Sequence, residues 1–580
     1  MVKTFARIKS PYMVCWVMMV ALCTIYLFSL CPTVYLIDSG ELATVSYALG
    51  IAHPTGYPLY TLLSHFLAHL PGEPIVYLNL LSALFSVVAA MIMFFFALRI
   101  TGNTIAAIIP VFVFACAPTI WRISVTNEVY PLTALFCCLI LFSVATTRTS
   151  RHALFIAYVI GLAFTNHIII FSIAIPVVAY MLLTYKPDAK KVIASIILGA
   201  IGISMYLYLI ARTAAGTEFS WGNTINLQRL LWHITGKQYQ VWMFSLSFGE
   251  IMNNLKTAVL FLGRDFAYVL LVLVFIGMYH LYTRNKKLLW LYVGIIVLNI
   301  LYTINYSIPD VESYYIPSFV ALVVLSAYGL KHMIHRIKWY AVLAVVVVLP
   351  IINYHACTLR DNTFGLDFAG MHIEQLPKRS LVLCTYWDIY SPILYLNTVK
   401  GIRSDLIVID KELLRRTWYI SYLKTRYPRF MRAAENRVEA FLSELYKFEY
   451  DRPYDPATIQ LRYIAMLDAF VDNTEVEHVF LAAPVPDNDL RQVKPQLLRL
   501  PRGMVYELRP DTVGYTAFDY SQLSIEPPPV INDNRLKNNI RMVQHMTRLN
   551  ILFLEEINRQ AAAATTQKWL EEFNNSVIVP

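Results

Sequence analysis

The chain has 580 residues, 57% of them hydrophobic and 15% charged, with a mean hydropathy of +0.52; soluble domains carry roughly 25% charged residues. That composition excludes a water-soluble enzyme, and the ordinary Gly and Pro content with 14% aromatic residues excludes a disordered or collagen-like chain. The net charge of +10 does not point to nucleic acid, because the basic residues sit mostly in short loops between apolar runs.

Those runs reach about 18 to 25 positions, the length that crosses roughly 30 Å of hydrocarbon as a helix. The basic start and long apolar stretch at the N-terminus lack a small-x-small cleavage site, so a retained first helix is expected. In chain order the expected spans are 12–31, 75–98, 104–121, 128–147, 152–165, 168–185, 192–211, 266–283, 288–307, 314–332 and 339–356, about eleven in all. The division of the 152–185 run rests on the polar Thr165, Asn166 and His167. With a cytoplasmic N-terminus, one set of helix ends collects bases such as Lys3, Arg7, Arg148, Lys190, Arg284 and Lys331, accompanied by Asp188. Asp38, Glu41, Glu128, Glu218 and Glu312 fall on the opposite side. This bias follows the positive-inside rule and puts the C-terminus outside.

After residue 356 no spanning segment follows. SLVLCTYW, DLIVID, EHVFLAAPV and MVYEL read as strands, whereas SPILYLNTV, TWYISYLKTRY and ATIQLRYIAMLDAFV read as helices, an alternation that implies an α/β domain. The chain from Arg535 onward reads as helical, with a single tetratricopeptide-like helix pair as one form. The expected architecture is therefore an α-helical polytopic membrane domain (1–356) with a first outer loop at 32–74, a non-cytoplasmic soluble α/β domain (357–530) and a helical segment (531–580). The eight cysteines form neither a disulfide framework nor a CxxC site.

No Asp, Glu, Lys or Arg falls near the middle of a span, which argues against an ion or proton pathway and so against a transporter. Polar residues gather at the outer ends instead. The first outer loop opens as Asp-Ser-Gly-Glu, where Asp38 can cap a helix beginning near Gly40 and Glu41 lies in its first turn. Two carboxylates at a membrane face suit proton abstraction; a capped interfacial helix is the competing reading. His-Pro-Thr-Gly-Tyr-Pro at 53–58 forms a rigid turn, which by itself is also a simple loop staple.

The run DSGELATVSYALGIAHPTGYPLY resembles the signature of a large family of polytopic GT-C glycosyltransferases that includes animal protein O-mannosyltransferases and tail-bearing bacterial members. The likeness continues in TNEVYPLTAL, TNH, YLIARTAAGTEFSWGN, HITGKQY, PDVESYYIP and VKGIRSDLIVIDKELLRRTWYI, and covers most of residues 30–425. Two departures stand out: Asn223 where the family often has an acid after Trp-Gly, and TYWDIYSP, which only loosely matches a Gly-Asp-Asn-Asp-like stretch.

The resemblance implies a helical membrane body, an acidic first outer loop and a polyprenyl-phosphate-linked sugar donor, with a hexose such as mannose moved to Ser or Thr hydroxyls of exported proteins with inversion. Such transfer needs a base for the hydroxyl proton and stabilisation of the leaving phosphate. Asp38 is the candidate base and Glu41 its partner. Arg212, at the outer end of its helix, is the candidate phosphate binder, against snorkelling to headgroups. His53, Glu128, Asn166 and His167 are candidate substrate contacts, against satisfying backbone groups or charging a helix start. Asp310, Glu312, Tyr314 and Tyr315 are candidate sugar-pocket residues, and Trp221 and Trp387 candidate sugar platforms, against interfacial anchoring. No cofactor is expected, although Asp38, Glu41 and Glu128 could hold a divalent ion if their loops converge. The expected location is a bacterial plasma membrane, with the endoplasmic reticulum as alternative. A lipid or surface-polysaccharide acceptor, a lipid-linked-sugar transporter and a non-catalytic scaffold remain competing functions.

Overall fold

The computed structural model of the protein describes all residues except 1–9, 148, 150–151, 309–310, 337–338, 483–487, 524, 526–532 and 578–580. Its residues divide into two compact units, one formed by 1–31, 51–215 and 224–360 and the other by 32–50, 216–223 and 361–580. The second unit thus contains the tail and also two segments that a linear boundary at 356 leaves with the helical body.

The first unit is helical. Among the described residues, seven helices are long and apolar enough to cross a membrane: Pro11–Ser29, Pro74–Thr101, Ile168–Tyr185, Ala189–Ala214, Lys286–Thr303, Val311–His332 and Tyr340–Cys357. Three shorter apolar helices, Tyr130–Thr146, His152–Phe164 and Leu271–Arg284, match further expected spans. The chain is a multi-pass membrane protein. The expected span at 104–121 differs most. It is broken into Ile108–Ala115 and Pro118–Ser124, because Ala117 ahead of Pro118 is pushed into extended backbone (φ −65°, ψ 136°) and Pro118 offers no N–H to continue the ladder. Thr165, Asn166 and His167 do interrupt the 152–185 run, in a turn before the 3-10 segment Ile168–Ile170.

Burial decides which helices are central. The Val311–His332 window is 89% buried and the Pro74–Thr101 window 61%, against 17% for Ala189–Ala214 and for Tyr340–Cys357. Close helix approach uses small residues: Gly277 faces the Leu325 carbonyl and Gly329 faces the Leu273 carbonyl with no room for a Cβ on either. Without a hydrophobic drive between helices in lipid, backbone proximity of this kind supplies the packing.

The second unit is built on a five-stranded sheet. Strands β1 (Ser380–Cys384), β2 (Ile407–Asp410) and β3 (His478–Ala482) are parallel, and β4 (Leu498–Arg502) and β5 (Val505–Arg509) antiparallel, in the order β2-β1-β3-β5-β4. Central β1 is buried at every position, which is why it reads as a continuous apolar run rather than an alternation. The Trp387–Thr398 helix makes the crossover from β1 to β2. Edge strand β4 carries Pro501, whose missing N–H does no harm at a sheet edge. Gly503, at φ +61°, turns the chain between β4 and β5.

The C-terminal helices Asn534–Glu556 and Gln560–Ser576 form a hairpin. It packs on the sheet edge through Leu500, Tyr515, Leu554 and Ala563. Buried Asn550 pins it further, accepting from the Gly503 N–H and donating to the Gly503 carbonyl, both at 2.9 Å. The 534–576 helices are therefore part of the same compact unit as the sheet.

Candidate functional site

Asp38 and Glu41 belong to the unit that carries the sheet, on the start of the Ser39–Ala48 helix. The helix packs against Trp387–Thr398 with no side chain between them, since a Cβ on Gly40 would stand 2.6 Å from the Ser391 carbonyl carbon and 2.8 Å from Pro392 Cα. Glycine in Asp-Ser-Gly-Glu therefore answers a packing need.

Asp38 occupies the N-cap position without acting as the expected cap. Its backbone is helical (φ −90°, ψ −7°) rather than extended, and its side chain makes no capping bond. The N–H of Glu41, which a cap would take, donates to Ser391 Oγ at 2.9 Å. The Asp38 carboxylate instead accepts from the Trp387 indole Nε1–H at 2.8 Å. Glu41 is wholly buried, and one of its carboxylate oxygens lies within 4.8 Å of one from Asp38. Asp38 is half-buried and stands beside a second acid, and an ionised carboxylate oxygen is an acceptor for a proton or a hydroxyl donor.

The wall around this pair is aromatic. Trp221 stacks on Trp418 with centroids 4.6 Å apart, Trp387 meets Trp221 edge-on at 5.7 Å, and Phe219 adds its edge to Trp221 and Trp418. Trp221 is 4% exposed, so it is packed among rings rather than offered as an interfacial anchor. Trp418 Nε1 is buried with no hydrogen-bond partner. The segment bearing Trp221 is fixed by a Thr217 hydroxyl bond to the Leu49 carbonyl at 3.1 Å and by a Glu218–Arg426 ion pair.

Behind Trp387 lies Asp388, fully buried and bonded to Arg535, Asn539 and the Ile37 N–H. Sequence reasoning passed over Asp388, Ser391, Trp418 and Arg535. Trp418 lies in the RRTWYI stretch, and Asp388 and Ser391 lie in TYWDIYSP; Arg535 is an ordinary polar residue whose partner lies far along the chain.

In the helical unit, His53 contacts the Tyr57 hydroxyl at 2.9 Å, Tyr57 stacks on His167, and His167 meets Tyr314 edge-on at 5.2 Å. Three expected residues, His53, His167 and Tyr314, thus share one aromatic cluster. Asn166 donates to the Val129 carbonyl and Thr133 Oγ1, tying its turn to the start of the Tyr130–Thr146 helix, while its Oδ1 is buried without a partner. Glu128 is half-buried two residues before that helix, its N–H donating to Ser82 Oγ. Glu312 is drawn into an ion pair with Arg264 at 3.0 Å, which also reaches Asp265 and Thr119. Tyr315 is buried. Arg212 is half-buried in the last turn of Leu207–Ala214. Asp310 lies outside the described residues.

Two buried residues of this unit were missed within quoted or neighbouring stretches. Arg229 is 7% exposed. His233, the first residue of HITGKQY, bonds the Ala52 carbonyl through Nε2 at 3.1 Å, and burial drives its pKa down to about 3, so it is neutral.

Comparison with known proteins agrees with the resemblance read from the sequence. Residues 38–191 match the family described as Protein O-mannosyl-transferase TMEM260 N-terminal domain. The chain is 27% identical over 433 residues to the protein O-mannosyl-transferase TMEM260 of Mus musculus, covering 67% of this chain and 61% of that protein. It is 22% identical over 486 residues to its counterpart from Dictyostelium discoideum, covering 72% and 59%. The chain thus spans about three fifths of the length of these curated relatives. Among solved structures it is similar to ArnT from Cupriavidus metallidurans bound to undecaprenyl phosphate, at TM-score 0.54 and 11% identity, covering 86% of this chain and 98% of that one. The apo form of the same protein gives a TM-score of 0.53 at the same identity and coverage. The resemblance to a GT-C family containing O-mannosyltransferases is borne out, and the fold is of the ArnT kind.

Proposed function

We propose that the protein is a membrane glycosyltransferase that moves a hexose, mannose in the first instance, from a polyprenyl-phosphate donor to Ser or Thr hydroxyls of exported proteins. The observation that carries this reading is the state of Asp38: a carboxylate at the helix start that forgoes capping, is oriented by Trp387, and stands beside buried Glu41. The O-mannosyl-transferase relatives support the sugar and the acceptor class, and the undecaprenyl phosphate bound by ArnT supports the donor class.

The reaction is a single displacement with inversion. The acceptor oxygen forms its bond to the sugar C1 as the bond from C1 to the phosphate oxygen breaks. Asp38 takes the hydroxyl proton, and polyprenyl phosphate leaves with both electrons of the broken bond. Glu41 orients Asp38. Arg212 offers a forked set of donors to the departing phosphate, which leaves no obligatory task for a divalent metal. The host membrane is a bacterial plasma membrane, with the endoplasmic reticulum as the alternative.

The test supplies purified full-length protein in detergent with polyprenyl-phosphate [³H]mannose and host protein extract, with and without EDTA. Label appearing on Ser or Thr of protein, at a rate within about twofold with chelator, is the expected result. Label confined to lipid or polysaccharide would move the acceptor to that class. Absence of any transfer would refute the enzyme reading.

A further inference from the structure

Asp38 is gripped on both sides by groups that lead to one place, the first turns of the C-terminal Asn534–Glu556 helix. We propose that this helix start is a positioning device for the Asp38 carboxylate, acting through buried Asp388. The proposal rests on the reading of Asp38 as the base.

Asp388 sits in the first turn of Trp387–Thr398, next to the tryptophan that holds Asp38. It is fully buried and spends its two oxygens on four bonds. Arg535 Nε reaches both, at 2.7 and 2.8 Å, Asn539 Nδ2 reaches one at 2.9 Å, and the Ile37 N–H reaches the other at 2.9 Å. Ile37 is the residue immediately before Asp38, and its φ is +64°. A β-branched side chain in the left-handed region is a rare and unfavourable conformation that persists only where its surroundings over-determine it. The bond to Asp388 supplies such a constraint, and so sets the direction in which the backbone enters Asp38.

A second thread runs in parallel. The Tyr35 hydroxyl donates to Asp533 Oδ2 at 3.2 Å, while Asp533 Oδ1 caps the C-terminal helix by accepting from the Arg535 N–H at 2.8 Å. The Arg535 guanidinium also lies 5.7 Å from the centre of the Tyr386 ring. Tyr35 and Ile37 before Asp38, and Tyr386 before Asp388, are thus tied to a helix that begins about 500 positions after Asp38 in sequence.

A buried ion pair is a poor device for stability alone, since desolvating both charges offsets most of their attraction and an apolar pair would fill the space as well. An apolar pair could not orient a backbone N–H. That directional task is what the Arg535, Asn539 and Asp388 cluster performs, and it makes Arg535 a positioning residue rather than a catalytic one.

The experiment is a double-mutant cycle on the full chain in detergent, with polyprenyl-phosphate [³H]mannose as donor and a Ser/Thr peptide library as acceptor. Arg535→Ala should lower kcat by about 10²-fold with donor KM within about twofold, because a misplacement near 1 Å costs that much in rate without removing donor contacts. Arg535→Lys should recover part of the loss, a point charge replacing a fork. In an Asp38→Asn background, adding Arg535→Ala should lower the residual turnover by less than about twofold, since the group being positioned is already disabled. If Arg535→Ala does not fold, Tyr35→Phe enters the same cycle, with a several-fold loss of kcat expected alone and none in Asp38→Asn. Wild-type kcat in whichever of these variants folds, or a full multiplicative loss in the double variant, would overturn the proposal. Near-normal turnover in Asp38→Asn would instead remove the base assignment beneath it.

Discussion

Replacing Gly40 by alanine puts the packing beneath Asp38 under direct strain. A Cβ there would stand 2.6 Å from Ser391 C and 2.8 Å from Pro392 Cα, and closer still to Ser391 O, where ordinary contact begins at 3.4 Å. All three are backbone atoms of the Trp387–Thr398 helix, so no side chain can swing away. Relief requires the Ser39–Ala48 helix to withdraw by about 1 Å, which costs roughly 1–3 kcal/mol of overpacking. The same shift stretches the bonds of Trp387 to Asp38 and of Ser391 to the Glu41 N–H, now 2.8 and 2.9 Å, beyond useful range. Differential scanning calorimetry should show a lowered melting temperature, and the labelled-mannose assay a turnover lower by about 10²-fold. Gly40→Ser should behave similarly. A Gly40→Ala protein with wild-type melting temperature and turnover would refute the account of how this helix is held.

Other consequences are open to measurement. Arg212→Ala should raise donor KM and lower kcat, and Arg212→Lys should restore only part of either; unchanged donor affinity in Arg212→Ala would return the residue to headgroup snorkelling. Asp410, buried at the end of β2, is pushed up from 3.8 to about 7 by burial, against a lowering bond from the Leu413 N–H. In the folded chain it keeps a proton that the unfolded chain has already lost. Its contribution is therefore complete below pH 3.8 and is lost as pH rises through about 7, amounting to a few kcal/mol at most. Asp410→Asn keeps the acceptor for Leu413 and should flatten the fall in melting temperature of the sheet-bearing unit over that interval; an unaltered slope would contradict the assignment.

The spans were legible because hydrocarbon imposes a length on apolar runs that survives in any sequence. The break at Ala117-Pro118 was not seen, since averaging hydropathy over 104–121 conceals a single missing N–H. Strands β1, β2, β3 and β5 announced themselves as apolar runs, whereas β4, as LRLPR, carries two arginines and a proline that an edge position tolerates. Asp38 and Glu41 could be singled out from Asp-Ser-Gly-Glu. That Asp38 does not cap its helix could not, because the group that takes the Glu41 N–H is Ser391, 350 positions away. Asp388 and Arg535 are 147 positions apart and carry no local pattern that marks them as a pair. Glu312 is a candidate pocket acid through the resemblance of PDVESYYIP to the family. Its partner Arg264, 48 positions earlier, turns it into half of an ion pair.

Turnover of Asp38→Asn tests the central claim most directly. The substitution keeps shape and an oxygen to accept from Trp387 Nε1–H, and removes the basicity. Purified in detergent and supplied with polyprenyl-phosphate [³H]mannose and acceptor peptide, it should fall in turnover by about 10²- to 10⁴-fold with little change in melting temperature. Asp38→Ala should be as inactive and lose about 1 kcal/mol of stability with the indole bond. Near-normal turnover in Asp38→Asn would contradict the account and send the search for the base to Glu41 or Glu128.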